Sequence, residues 1–477
     1  MLFNSVAFLI FFVLVWITYW NLARTKLWLQ NSFLLLASYV FYAWWDWRFL
    51  SLILLSSATD YFAGQAIHKS QTQNKRKAWL ILSLLVNLGL LGFFKYFNFF
   101  VDSFADLLFT LGLSANIQTL NIILPVGISF YTFQTLSYTI DIYRRKIKPV
   151  DQPIPFFTFV AFFPQLVAGP IERASNLLPQ FLRPRRFDYE KVVVGCRLIL
   201  WGLFKKVVIA DRLAILVDLV YGQPEAYSGF AVMLATLAFA LQIYCDFSGY
   251  SDMAIGLARL LGFDLMKNFD APYLARSLRE FWQRWHISLS TWFRDYLYIP
   301  LGGNRNGKLW QIFNLMLTFL VSGLWHGANW TFLIWGAIHG LFMSVEALFR
   351  NINLALPTFI RWIMVFTIVT LAWVFFRAES LELATILLEN MLQFEERGQQ
   401  ISGLAAELLV SWQDGLGLML ALLALMLIDY LSLKGGLNQV FCRLPGVLRW
   451  SLYYFLIAEI VFIRTFDNAP NFIYFQF

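Results

Sequence analysis

Three of the four histidines in this 477-residue chain, His286, His326 and His339, fall within residues 275–340. Histidine is the ordinary side chain whose unperturbed pKa lies near neutrality, and a desolvated imidazole stays neutral and able to take a proton from a hydroxyl. His326 is the sharpest candidate. It sits in LVSGLWHGANW, residues 320–330, within an apolar run. Gly323, Gly327 and Ala328 flank it and permit close approach of backbone, or of a substrate beside the ring. Ionisable residues at membrane depth are functional candidates by default. Moving an acyl group from a thioester to an alcohol needs such a base, an oriented donor and a place to stabilise the oxyanion.

His286 lies in LREFWQRWHISLSTWFRD, residues 278–295. Read as one helix, this segment puts Ser290 one turn beyond His286. Trp282, Trp285, Leu289 and Phe293 then recur every three or four residues, facing lipid or protein. Tryptophan, tyrosine and arginine at this density mark an interfacial bed. Two roles stand open for His286: a member of the reactive cavity, or a hydrogen-bonded interfacial residue. His339 follows His326 by thirteen residues, an offset that does not share one face of a straight helix, so a supporting role is expected.

Other chemistries find less support. Glu280 or Asp295 would be needed to complete a zinc set with the histidines, but no HExxH-like spacing is present and no metal is expected. Ser288, Ser290 and Ser322 lack a G-x-S-x-G elbow. Asp246 and Asp252, in CDFSGYSDM, are six residues apart with no calcium- or magnesium-loop pattern, which favours capping or buried hydrogen bonding over a metal or acid–base pair. Cys196, Cys245 and Cys442 are odd in number and far apart, so neither a disulfide framework nor a cysteine metal site is indicated.

The elements that carry these residues are membrane helices. Hydrophobic residues make up 59% of the chain and charged residues 14%, outside the soluble globular range. Apolar runs at about 4–21, 31–45, 49–66, 78–94, 121–142, 229–244, 311–340, 358–375, 416–428 and 450–463 give an all-α, polytopic body of roughly ten or more spans. The first run lacks a basic n-region and a small-residue cleavage site, so it reads as a retained span. Residues 156–171, FFTFVAFFPQLVAGPI, are interrupted by Pro164 and Gly169-Pro170 and read as a broken or re-entrant element. Asp60 and Lys95 fall in or beside apolar runs, where packing or interfacial roles are expected.

The net charge of +8 falls in short loops, where it sets orientation and meets anionic lipid headgroups; nucleic acid is not indicated. The loop around Arg24 and Lys26, HKSQTQNKRK at 68–77 and RRKIK at 144–148 share one side if each run crosses once, which puts the N-terminus outside the cytoplasm. FLRPRRFDYEK, at 181–191, and Lys205-Lys206 read as two further cytoplasmic basic groups. Arg377 and Arg464 close two later spans, where such charges can snorkel.

RSLREFWQRWHISLSTWFRDYLYIPLGGNR followed by VSGLWHGANWTFLIWGAIHG resembles the membrane-bound O-acyltransferase superfamily, in particular its bacterial polysaccharide O-acetyltransferase branch. LPVGISFYTFQTLSYTIDIYR at 124–144, FFPQLVAGPIER at 162–173, YCDFSGYSDMAIG at 244–256 and FFRAES at 375–380 extend the match over most of the chain. The resemblance implies a single integral membrane domain over residues 1–477, built around a funnel, with a motif-rich catalytic region at 244–340. It implies catalytic roles for His326, at the family's invariant histidine, and for His286, at its preceding histidine or asparagine. It further implies acetyl-CoA as a cytoplasmic donor substrate, with no bound cofactor. The acceptor would be an extracytoplasmic polysaccharide such as alginate, reached directly or through a partner acetyltransferase, at the bacterial inner membrane. Two alternatives remain: a transporter or flippase for a lipid-linked glycan, to which the interrupted element would be suited, and D-alanyl transfer to a cell-wall polymer.

Overall fold

A computed structural model describes the chain apart from residues 23–25, 114–118, 168, 228, 350–355, 394–411 and 463–477. Arg24 and Arg464 lie outside the described residues. Every regular element among those described is helical, as lipid requires of a chain that must satisfy its own backbone polar groups. Among the described residues, five helices are long and apolar enough to cross a bilayer: Gln73–Thr110, Phe230–Leu260, Trp330–Phe349, Thr358–Arg377 and Gly415–Ser432. Their outer faces expose Leu85, Leu237, Leu341, Ile363 and Leu423, a pattern that suits acyl chains and not water. The protein is a polytopic membrane protein.

The chain groups into two compact units, Met1–Gly195 with Ala254–Met266, and Cys196–Met253 with Lys267–Phe477. In the first, the turn at Asp46 is real: its carboxylate accepts from Arg48 N at 3.0 Å and opens a short turn between Leu27–Asp46 and Leu50–Lys69. Asp60 is fully buried in Leu50–Lys69, where the Ser83 hydroxyl and the Asn87 amide (2.9 Å) donate to its two oxygens. The span expected to end near Phe94 does not end there. A π turn at Gly92–Tyr96 carries it into Phe97–Thr110, giving 38 helical residues; no proline or glycine lies between Phe94 and Thr110 to stop it.

Residues 156–171 do break. The helix Pro153–Ala161 ends at Phe162, and Phe163–Leu166 follows as a single turn. The backbone groups this frees are taken up inside the protein: Phe163 N donates to Ser38 Oγ (3.2 Å), and Gln134 Nε2 donates to Phe159 O (2.7 Å). Arg185, expected on a basic surface, is instead only 8% exposed. Its guanidinium donates to the Tyr19 hydroxyl, Gln30 Oε1 (2.9 Å), Asn31 Oδ1 and Gln180 O (3.1 Å), with Phe263 4.8 Å from its carbon. A weakly hydrated cation with five fixed donors can be buried when those donors are occupied this fully.

Lys205 and Lys206, expected in a cytoplasmic basic group, are likewise buried, on a π turn at Phe204–Ala210. Lys205 Nζ reaches Ser248 Oγ at 2.8 Å and Asp252 Oδ2 at 2.7 Å. Lys206 Nζ lies between Asp211 (2.7 Å) and Asp246 (2.9 Å). The two aspartates of CDFSGYSDM, midway along Phe230–Leu260, are therefore counter-ions for neighbouring lysines and do not cap a helix. Close approach makes this possible, since a Cβ at Gly249 would lie 2.7 Å from Gly202 O. Arg377 does not snorkel but pairs with Asp218 at 2.8 Å.

Removing one member of a buried charge cluster leaves the others uncompensated, at a cost of about 3–5 kcal/mol. Lys206→Met is expected to collapse the monodisperse yield in detergent and lower the thermal midpoint. Adding Asp211→Asn and Asp246→Asn should restore much of both. A Lys206→Met protein that melts like wild type would show that the cluster contributes nothing to the fold.

Candidate active site: paired imidazoles in an aromatic box

The segment 278–295 is not one helix. Leu278–Arg284 and Ile287–Phe293 are separate, and the joint is His286 itself, at φ +42°, ψ +54°. The first helix is started by Ser277, whose hydroxyl accepts from Glu280 N (3.0 Å), and by Glu346, which accepts from Leu278 N (2.8 Å). At the joint an irregular segment runs alongside: Asp270 N donates to Arg284 O and Ile287 N donates to Asn268 O, both at 2.9 Å. These two bonds replace the helical bonds that a straight continuation would have made. Trp282, Trp285, Leu289 and Phe293 are buried in protein, so the expected interfacial bed is an interior one.

The expected Ser290 partner of His286 does not materialise, because the Ser290 hydroxyl donates to Trp285 O (3.1 Å). The His286 ring instead meets Asn268, with Nδ1 3.1 Å from Oδ1. It stands edge-on to Phe247 at 4.6 Å and is fully buried. Asn268 was not picked out from sequence; it lies in an irregular stretch eighteen residues before its partner, and no periodicity marks it.

His326 comes from a helical hairpin. Lys308–His326 ends at His326, where Gly327 turns extended, and Trp330–Phe349 returns. Asn329 secures the turn, its Oδ1 accepting from Thr331 N (3.0 Å) and its Nδ2 donating to Glu379 O (2.8 Å). The glycines around His326 serve helix contact. A Cβ at Gly323 would lie 2.2 Å from Phe332 O, one at Gly327 2.0 Å from the Phe332 ring, and one at Gly336 2.4 Å from Phe319 O. His326 is 4% exposed, with Trp325, Trp335 and Phe376 at 5.0, 5.1 and 5.3 Å between ring centroids. The His286 and His326 rings are 6.4 Å apart.

His339 is fully buried behind Trp335, which lies 5.0 Å from it on one side and 5.1 Å from His326 on the other. The structure thus brings His286 and His326 together and keeps His339 one indole away. Glu280 and Asp295 are engaged by Arg284 (2.7 Å) and Arg294 (2.8 Å). Among the described residues no three His, Cys, Asp or Glu side chains are grouped to hold a metal ion.

The all-helical membrane body thus encloses two buried imidazoles among tryptophan and phenylalanine rings. The model of the membrane-bound O-acyltransferase family matches residues 151–385. The chain is 45% identical over 396 residues to the probable alginate O-acetylase AlgI of Pseudomonas aeruginosa, covering 83% of this chain and 75% of that one. It is 43% identical over 418 residues to the protein of the same name from Pseudomonas putida, covering 86% and 85%. To the peptidoglycan O-acetyltransferase of Helicobacter pylori it is 40% identical over 397 residues, covering 77% and 73%. The chain belongs to the membrane-bound O-acyltransferase family and is an acyltransferase.

Because the hairpin presents His326, its glycine contacts should be indispensable. Gly336→Val is expected to cost about 1–3 kcal/mol through overpacking, read as a lowered thermal midpoint in detergent. Gly89→Ala, at a position with nothing within 4 Å of the added Cβ, should leave the midpoint unchanged or slightly raised.

Proposed function

We propose that this protein moves an acetyl group from cytoplasmic acetyl-CoA towards hydroxyls of an extracytoplasmic polysaccharide, directly or through a partner acetyltransferase, at the bacterial inner membrane. The observation that carries the reading is the pair of buried imidazoles, 6.4 Å apart between ring centroids, on the motifs His286 and His326 occupy. The relatives named for alginate and peptidoglycan O-acetylation support the acetyl group and the glycan acceptor. The basic runs at 68–77 and 144–148 support an N-terminus outside the cytoplasm.

In this reading neutral His326 takes the proton of the acceptor hydroxyl as its oxygen attacks the thioester carbonyl carbon. The carbon–sulfur bond then breaks, and the proton is handed on to the departing thiolate, so that ester and free CoA are the only products. His286 faces the same space and steadies the reacting groups. The walls of Trp325, Trp335 and Phe376 keep water away from the thioester, which favours transfer over hydrolysis.

His326→Ala is expected to stay folded and to lose turnover by roughly 10²–10⁴-fold, the range for removing a general base. Release of free CoA from acetyl-CoA, measured with a soluble glycan acceptor in nanodiscs, is the readout. Full activity in this variant would sink the assignment, and glycan movement without CoA release would favour a transporter. For His286, glycine is the informative substitute because it accepts a left-handed backbone without strain. His286→Gly should show a large fall in kcat; a wild-type rate would remove His286 from the site.

A further inference from the structure

We propose that Asn268 is the positioning residue of the site, locking His286 in the tautomer that carries its proton on Nδ1 and presents Nε2 as the lone-pair nitrogen. The proposal rests on the reading of His286 as part of the acyl-transfer site and goes beyond it by naming what sets the ring.

The geometry favours one assignment of protons: the Ser288 hydroxyl lies 2.8 Å from Asn268 Oδ1 and only at a longer 3.4 Å from His286 Nδ1, so its proton goes to the amide oxygen and not to the ring. The backbone N–H of Ser288 donates to Asn268 Oδ1 at 3.2 Å, and the Ser288 hydroxyl donates to the same oxygen at 2.8 Å. A backbone N–H is a donor and nothing else, so the atom facing it must be the amide oxygen; rotating the amide would set two donors against each other. The amide nitrogen then points to Ser251 Oγ at 3.0 Å, which accepts from it. Oδ1, an acceptor only, also faces His286 Nδ1 at 3.1 Å. If Nδ1 were the unprotonated nitrogen, two lone pairs would face one another at hydrogen-bond distance with no proton between them. Nδ1–H donating to Oδ1 is therefore the stable form, and the hydrogen bond at one ring nitrogen decides the chemistry of the other.

The same residue also holds the backbone. Asn268 O accepts from Ile287 N at 2.9 Å, and Oδ1 holds Ser288 N, so the two amides that follow His286 are both tied to Asn268. His286 is a non-glycine residue at φ +42°, and this pair of bonds offsets the strain of that conformation. Phe247 edge-on at 4.6 Å and Phe269 near-parallel at 6.4 Å fix the ring plane. One side chain thus sets the direction, the plane and the protonation pattern of the imidazole.

The chain has four histidines, His68, His286, His326 and His339, so imidazole ¹⁵N spectra of labelled full-length protein in nanodiscs are assignable by comparison with His286→Gly. Wild type is expected to show His286 protonated at Nδ1. In Asn268→Ala the signal should shift towards the Nε2–H form, with kcat reduced by roughly 10–100-fold and KM for acetyl-CoA little changed. Asn268→Asp keeps an oxygen acceptor for Ser288 N and for Nδ1–H, and Ser251 can turn its hydroxyl to donate to the second oxygen. It should preserve the Nδ1–H tautomer while moving the acid limb of kcat to higher pH, because a carboxylate stabilises the imidazolium. A purely structural asparagine would not move that limb. Two results overturn the proposal: His286 found as the Nε2–H form in wild type, or an unaltered acid limb in a folded Asn268→Asp protein. Should Asn268→Ala fail to fold, the wild-type spectrum and the aspartate variant still decide. Loss of turnover in His286→Gly together with either overturning result refutes the role of Asn268 alone. Full turnover in His286→Gly refutes the reading on which it rests.

Discussion

The left-handed turn at His286 is the constraint on which the site depends. A residue other than glycine ordinarily avoids such a conformation, which costs about 1–3 kcal/mol and persists only where surrounding bonds hold it. Here the carbonyl groups of Asn268 and Arg284 engage the backbone N–H groups of Ile287 and Asp270, and the chain changes direction between two helices of seven residues each. That change carries the imidazole out of the Trp282–Trp285 stripe and sets it beside His326. A straight helix would have left the ring on whichever face its periodicity dictated.

The same requirement, that polar groups at depth be fully partnered, explains features which look out of place in an apolar body. Lys206 is held between Asp211 and Asp246, Arg185 spends its donors on neutral oxygens, and Asp60 accepts from a hydroxyl and an amide. These clusters cost little only when complete. They give particular helix pairs a single register, because sliding one helix past another by a turn would strand a charge.

The sequence made the helical class, the break near Pro164 and the histidine pair legible for definite reasons. Long apolar runs have few alternatives, proline cannot continue a helix, and rare ionisable residues stand out against such a background. The joint at His286 was hidden because Phe281, Trp285, Leu289 and Phe293 keep a four-residue spacing straight through it, and neither glycine nor proline marks the place. Asn268 was hidden because its bonds are tertiary. Lys205 and Lys206 read as a cytoplasmic basic group since two of their three counter-ions, Asp246 and Asp252, lie some forty residues further along the chain, in a run whose apolar content outweighs two aspartates.

The helix Gln73–Thr110 has a consequence for the lipid itself. At 38 residues it is a rod of about 57 Å, set against a hydrocarbon core of roughly 30 Å. Its faces expose Leu85, Phe93, Phe100 and Phe104, so neither half is a natural candidate for water. Such a rod must lean steeply, or bend at its π turn so that one arm rides in the headgroup layer. Either way the angle of this helix is tied to the local bilayer, and the protein should be sensitive to membrane thickness in a way that its chemistry alone would not require.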